Sequence, residues 1–272
     1  MRAPVPILMY HSVAADADPA YRAWAVHPER FAAHVAYLRE HGYTPLTVSQ
    51  LVVARAGRGG GLPARPVVLT FDDGLADFYT GAWPVLRRHG VPATLFVVAG
   101  CVGRESCWLG REGAPERPLL DWAQLAEVVA GGVECGAHTL THPRLGALPL
   151  AAARAEIARS RDALGEHLGL PVTAFSYPHG HYNAAVRRLV RQAGYTAACA
   201  VHHALSRGYD DRFALSRLVV AGETDVAGLA ALLRGEGLPD APYLRSVARR
   251  YINWRAGRRQ WAGNAVAEVG RG

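Results

Sequence analysis

Short apolar runs separated by stretches of helical periodicity set what this chain of 272 residues can fold into. Strand-like runs fall at 7–10, 67–71, 93–98, 133–136, 172–177, 196–200 and 214–219. Helical patterns fall at 28–41, 78–89, 122–130, 150–167, 184–193 and 226–234. Several helical patterns stop at a glycine (Gly42, Gly90, Gly131, Gly169, Gly194), as helix C-termini do. Strands linked through helices pair in parallel, so the class is α/β. About seven such units suffice to close a barrel, and an open doubly wound sheet is the rival. The glycine-rich "RAGRGGGLP" at 55–63 precedes a strand and lacks dinucleotide-loop spacing, so it reads as a surface loop. A break at "GEGLPDAP" divides a barrel over 1–235 from a basic amphipathic tail over 236–272.

The net charge of +7 has a local source. Residues 243–261 hold six arginines and no acid, while the rest is close to balance. No basic stripe alternates with base-stacking aromatics, which argues against a nucleic-acid partner. In the tail, Leu244, Val247, Tyr251 and Trp254 recur at helical spacing among the arginines. Two readings fit: a helix lying on anionic lipid through 243–261, or a terminal helix packed on the barrel with a solvated basic face. The apolar run in "MRAPVPILMYHSV" is too short for a leader, and no run reaches the ~20 apolar residues of a membrane span. A soluble, cytoplasmic protein, with membrane contact at most peripheral, is the expectation. Four cysteines without a CxxC pair point to reduced, buried thiols.

Polar clusters follow three of the strand-like runs: Asp72-Asp73-Gly74, "GAHTLTHP" from Gly136, and "SYPHGHYN" from Ser176. In parallel barrels the chemistry gathers at those C-terminal strand ends. His138 and His142 stand four apart, and neutral imidazoles with one carboxylate, Asp73, make a three-ligand set for a divalent ion. An ion would neutralise one of the two adjacent carboxylates and leave the other as a base toward water. The plainer alternative is an Asp turn with two unrelated histidines. Ligands of this kind suit zinc, and also cobalt, manganese or nickel.

"TFDDG", "HTLTHP" and "SYPHGHYN", in this order, resemble the polysaccharide deacetylases of the NodB-homology type over about residues 5–220. The resemblance implies an irregular (β/α)7 barrel that hydrolyses acetyl groups on glycans with a divalent metal. By motif, Asp72 is the catalytic base, Asp73, His138 and His142 bind the metal, and Thr139 buttresses the histidine loop. "ILMYHSV" and the stretch from Val26 are similar to the permuted poly-N-acetylglucosamine deacetylases, which implies His11 as general acid. A core histidine is the alternative for His11.

The chain departs from the family pattern in three places. Ser176 stands where many members carry the Arg of Arg-x-Pro-Tyr-Gly, and Arg217 in "ALSRLVV" is the candidate replacement. No histidine follows residue 220, so the late acid histidine is absent. The Asp-x-x-Asp-Trp segment is not recognisable. In the third motif, the His179 backbone N–H is the candidate oxyanion donor, worth about 10² to 10³ in kcat. Tyr177, Pro178 and Gly180 are candidate substrate contacts, with Trp108 and Trp122 as further stacking surfaces, and packing is the plainer reading of Tyr177 and both tryptophans. His202 and His203 read as a loop at the rim, with a second metal site as the lesser alternative, and His27 reads as a local cap or surface group. The function that follows is removal of acetyl groups from N-acetylated amino sugars in a glycan or glycoconjugate. A carbohydrate-binding pseudoenzyme and a deacetylase of small amino-sugar metabolites are the alternatives.

Overall fold

The two-residue period of a strand places Val68, Thr70 and Asp72 on one face and Val67, Leu69 and Phe71 on the other, and the barrel is built on that division. The computed structural model describes residues 4–111 and 113–238. Its strands are β1 (Ile7–Tyr10), β2 (Ser12–Val13), β3 (Ala25–Val26), β4 (Thr44–Leu46), β5 (Pro66–Phe71), β6 (Thr94–Val97), β7 (Glu134–Ala137), β8 (Ala174–Ser176), β9 (Ala197–Cys199) and β10 (Leu218–Val219). The helices are α1 (Pro28–Glu40), α2 (Val48–Arg55), α3 (Trp83–His89), α4 (Cys107–Arg111), α5 (Trp122–Ala130), α6 (Leu150–Leu168), α7 (Ala184–Gln192) and α8 (Val226–Arg234).

The main sheet runs β10-β1-β5-β6-β7-β8-β9, parallel throughout, with β4 beside β5. Its two ends meet. Cys199 of β9 bridges Leu215, and the N–H groups of Leu215 and Ala200 donate to the carbonyls of Ala198 and Leu215 at 2.9 Å each. The segment that enters β10 therefore closes an irregular (β/α)7 barrel, and the open-sheet alternative falls.

Inside the barrel, Ile7, Val68, Phe96, Ala174 and Leu215 pack with Val48 and Leu51 of α2. Helix α2 stoppers the end opposite the polar clusters. Its start carries a Thr47–Gln50 capping box, a signal present in "TVSQ" that the periodicity reading passes over. Outside, Phe31 of α1 stands edge-on to Tyr10 and Phe71, at ring separations of 5.4 and 5.7 Å. His27 caps α1 by accepting the Glu29 N–H, as its position suggests.

Two expectations shift. The pattern at 78–89 forms a π-helical turn, Phe78–Ala82, before α3. Pro84 there lacks the N–H that would continue one regular helix through the junction. The run at 214–219 keeps only Leu218–Val219 as strand, because Leu215 is committed to closing the ring. The basic tail and its lipid-facing reading lie outside the described residues. Among the described residues no helix is long and apolar enough to cross a membrane.

Candidate active site and metal centre

Adjacent carboxylates on a strand point to opposite faces; here the backbone turns instead. Asp73 has φ 77° and Gly74 φ 78°, so two successive left-handed residues swing the chain sharply after β5. Aspartate tolerates this conformation better than most residues, and glycine adopts it without penalty. A Cβ on residue 74 would also sit 3.2 Å from Val97 Cγ1. Both carboxylates thus reach the barrel mouth, Asp72 from the inward face and Asp73 from the turn.

Asp73 Oδ1 lies 3.6 Å from His138 Nε2 and 3.5 Å from His142 Nε2. These gaps are long for hydrogen bonds. They do match the ~3.3–3.6 Å between ligand atoms that share one tetrahedral ion at 2.0–2.2 Å. His138 Nδ1–H donates to the Ser176 carbonyl at 2.8 Å, which leaves its Nε2 lone pair toward Asp73. The His142 ring packs between Trp108 and His179, each 4.7 Å away by ring centres. Burial, with neighbouring histidines adding to it, drives His142 well below its ordinary pKa; burial also lowers His138. Both imidazoles are neutral and able to donate lone pairs. The three residues form the one cluster of metal-ligand type among the described residues, and their chemistry fits a divalent ion.

Asp72 is held by Arg217, a fully buried residue. Nη1 donates to Oδ1 at 2.6 Å and Nη2 to Oδ2 at 2.7 Å. The other donors reach Ala200 O (3.0 Å), Thr70 Oγ1 (3.2 Å) and Ser176 Oγ (2.9 Å), so all five N–H groups have partners. Burial by itself would raise the Asp72 pKa. The guanidinium outweighs it and holds the carboxyl at about 2, ionised at neutral pH. Ser176 thus contacts an Arg that arrives from another strand end.

His11, just past β1, lies against Trp24 at 4.8 Å between ring centres, and its Nδ1 is buried with no hydrogen-bond partner. Burial pushes it down to about 4, with the Asp72 carboxylate opposing. His179 has φ 58° and is pushed by burial to about 3. Asp73, Thr139, His142 and His179 are four of the six non-glycine residues at positive φ among the described residues, so backbone strain gathers here.

Other candidates stand elsewhere. Tyr177 is fully buried and donates its hydroxyl to the Phe213 carbonyl at 2.9 Å, so its ring is core and offers no stacking face. Pro178 is buried, and Gly180 at φ 70° presses against Val201, shaping the turn that carries His179. Trp122 stacks on His167 at 3.8 Å, joining α5 to α6. His202 and His203 bond to Ser216 Oγ and the Val219 N–H respectively. Unforeseen contributors are Tyr21, whose hydroxyl reaches Asp73 Oδ2 at 3.5 Å, and Glu156 behind the histidine loop.

These buried histidines have a consequence for the metal-free chain. His11 and His179 titrate below the ~6.5 of an unfolded chain, so the folded state refuses protons that the unfolded state accepts. Their contribution is full above pH ~6.5 and is lost as pH falls toward about 4 and then about 3. Asp72, held at about 2, adds a loss in the same direction below pH ~3.9. The Tm of chelated protein is expected to be flat above pH 7 and to decline from 6.5 to 4. A level Tm across that interval would contradict buried neutral histidines.

Comparison with known proteins identifies the family of this chain. The polysaccharide deacetylase family profile matches residues 59–198, a span that holds the Asp pair, the histidine loop and His179, and the chain belongs to that family. It is a deacetylase, and so a hydrolase. YxkH of Bacillus subtilis (strain 168), which bears a polysaccharide deacetylase name, is 27% identical over 221 residues, 80% of this chain and 72% of that protein. The poly-beta-1,6-N-acetyl-D-glucosamine N-deacetylase of Escherichia coli (strain K12) is 33% identical over 136 residues, 48% of this chain but 20% of that protein. The structure of IcaB from Ammonifex degensii superposes with a TM-score of 0.72 at 28% identity, covering 85% of this chain and 97% of that one.

Proposed function

We propose that the protein hydrolyses the acetamide of N-acetylated amino sugars in a glycan, with Asp73, His138 and His142 holding a divalent ion, zinc foremost. The observation that carries this reading is the meeting of those three ligand atoms beside a second, ionised carboxylate fixed by Arg217. A bound ion of this kind polarises a carbonyl and brings the pKa of water to about 7. Asp72, ionised and unable to rotate away from Arg217, accepts the proton of the attacking water. The backbone N–H of His179 is the protein's donor to the developing oxyanion. His11 passes a proton through Nε2 to the leaving amine, its Nδ1 being buried. His11 is neutral at rest with its Nε2 lone pair free, so Asp72 hands the proton taken from water to Nε2, and His11 then gives it to the leaving amine and returns to neutral. Acetate and a free amino sugar result. The named activity of the Escherichia coli relative supports an N-acetylglucosamine polymer as the substrate class.

The test is acetate release from N-acetylglucosamine oligomers, lipid-linked acetamido sugars and small acetylated amino sugars. Chelation is expected to abolish release and added zinc to restore it. Release that survives complete chelation, or folded and metal-loaded protein silent across the panel, would overturn the reading.

A further inference from the structure

The loop from His138 to His142 is held in a conformation its sequence does not favour. Thr139 and His142 both sit at positive φ, 67° and 59°, although neither is glycine and Thr139 is β-branched. Its polar backbone groups are tied in turn. The His138 N–H donates to Val97 O at 2.8 Å, and Thr139 O accepts from Ala99 N at 3.1 Å. Leu140 O accepts from Gly100 N at 2.9 Å. Gly100 is needed for that approach, since a Cβ there would fall 2.6 Å from Leu140 O. Thr139 Oγ1 accepts from the His142 N–H at 3.0 Å.

The middle of the loop depends on one side chain. Glu156, in the second turn of α6, is half-buried and aims its carboxylate at the loop. Its Oε2 accepts from the N–H groups of Leu140 and Thr141, at 2.9 Å each, and its Oε1 accepts from the Thr141 hydroxyl at 2.8 Å. Neighbouring backbone N–H groups turned to one side form a small anion-binding concavity, and here an internal carboxylate fills it. Charge-assisted bonds of this type are about twice as strong as neutral ones. They act on two of the three residues between the histidine ligands, Leu140 and Thr141.

We propose that Glu156 is a positioning residue for the metal centre, fixing the spacing of the His138 and His142 ligand atoms through the backbone that joins them. The inference rests on the proposed Asp73–His138–His142 ion site and extends it to a residue outside that site. Without Glu156, two N–H groups lose their acceptor. The loop then gains freedom to relax from its strained φ values, and the two imidazoles are no longer held together beside Asp73.

The experiment measures Zn2+ affinity by competition with a chromogenic chelator on the full chain, for wild type, Glu156→Ala and Glu156→Gln. The visible absorption of the Co2+-loaded proteins and each Tm are recorded in parallel. Glu156→Ala is expected to bind Zn2+ about 10- to 100-fold more weakly and to show altered Co2+ bands. Glutamine can still accept both N–H groups through its carbonyl and donate to the Thr141 oxygen, so Glu156→Gln is expected within a few-fold of wild type. If the alanine variant stays folded with wild-type affinity and Co2+ spectrum, or only its Tm falls, the inference is overturned and the metal site stands. If wild type itself binds no Zn2+, the metal reading and the inference fall together. Should the alanine variant fail to fold, Thr141→Val, which removes one of the three bonds, supplies the same comparison. An unchanged affinity there counts against the inference.

Discussion

Asp72→Asn should lower kcat for acetate release by about 10² to 10⁴ while leaving Zn2+ stoichiometry and KM near their wild-type values. The substitution keeps the shape and removes the basicity, and because it also strands the buried Arg217 charge, the Tm of the variant is expected to fall. Both oxygens of Asp72 are taken by Arg217, and its Oδ2 lies 4.0 Å from His138 Nε2 against 3.6 Å for Asp73 Oδ1. Steady-state kinetics with metal analysis on the same sample checks this. A kcat within tenfold of wild type would remove Asp72 as the base. Loss of the metal together with kcat would instead make Asp72 a ligand.

The second large effect falls on Arg217. Its five N–H groups join the β9 end, Thr70, Asp72 and Ser176 in the sealed upper layer of the barrel. Removing one member of a buried ion pair strands the other charge, at a cost of about 3–5 kcal/mol. Arg217→Met should therefore destabilise the fold by that order and lower Tm by roughly 10 °C for a domain of this size. It should also lower kcat, because Asp72 loses both its orientation and the charge that keeps it ionised. Arg217→Lys retains the charge but offers three donors to five acceptors, so it should recover part of the stability and less of the rate. The measurements are thermal unfolding and kcat on the soluble fraction. Near-wild-type values of both in Arg217→Met would show that the pair is idle.

Ser176 and Arg217 meet at the mouth of the barrel from different strand ends. The guanidinium comes from the segment that closes the ring and not from the third motif. Its partners, Thr70 and Ser176, lie on strands β5 and β8. The hold on Asp72 is thereby coupled to closure: Arg217 lies two residues from the Leu215 bridge. A barrel that failed to close there would also release Asp72.

What the sequence alone determined is the part carried by local rules. Alternating apolar runs and helical patterns specify parallel strands with crossovers, and strand ends specify where polar residues gather. Asp-Asp-Gly and His-x-x-x-His are short enough for their chemistry to be read in place. The His27 cap and the reach of Arg217 toward Asp72 were also legible, the first from helix-start chemistry and the second as the cation a missing Arg demanded. What only the tertiary structure decided depends on contacts between distant segments. Tyr177 looks like a sugar-stacking residue in "SYPHG", yet packing against Phe175 and a bond to Phe213 O make it core. Trp122 looks equally available and is spent on His167. Glu156 reads as an ordinary helix-face acid, and nothing in its neighbourhood along the chain ties it to Leu140 and Thr141. Ring closure at Leu215 is invisible for the same reason. Periodicity reports which face of an element is apolar, whereas the partner of a polar side chain depends on which surfaces the closed barrel brings within about 3 Å.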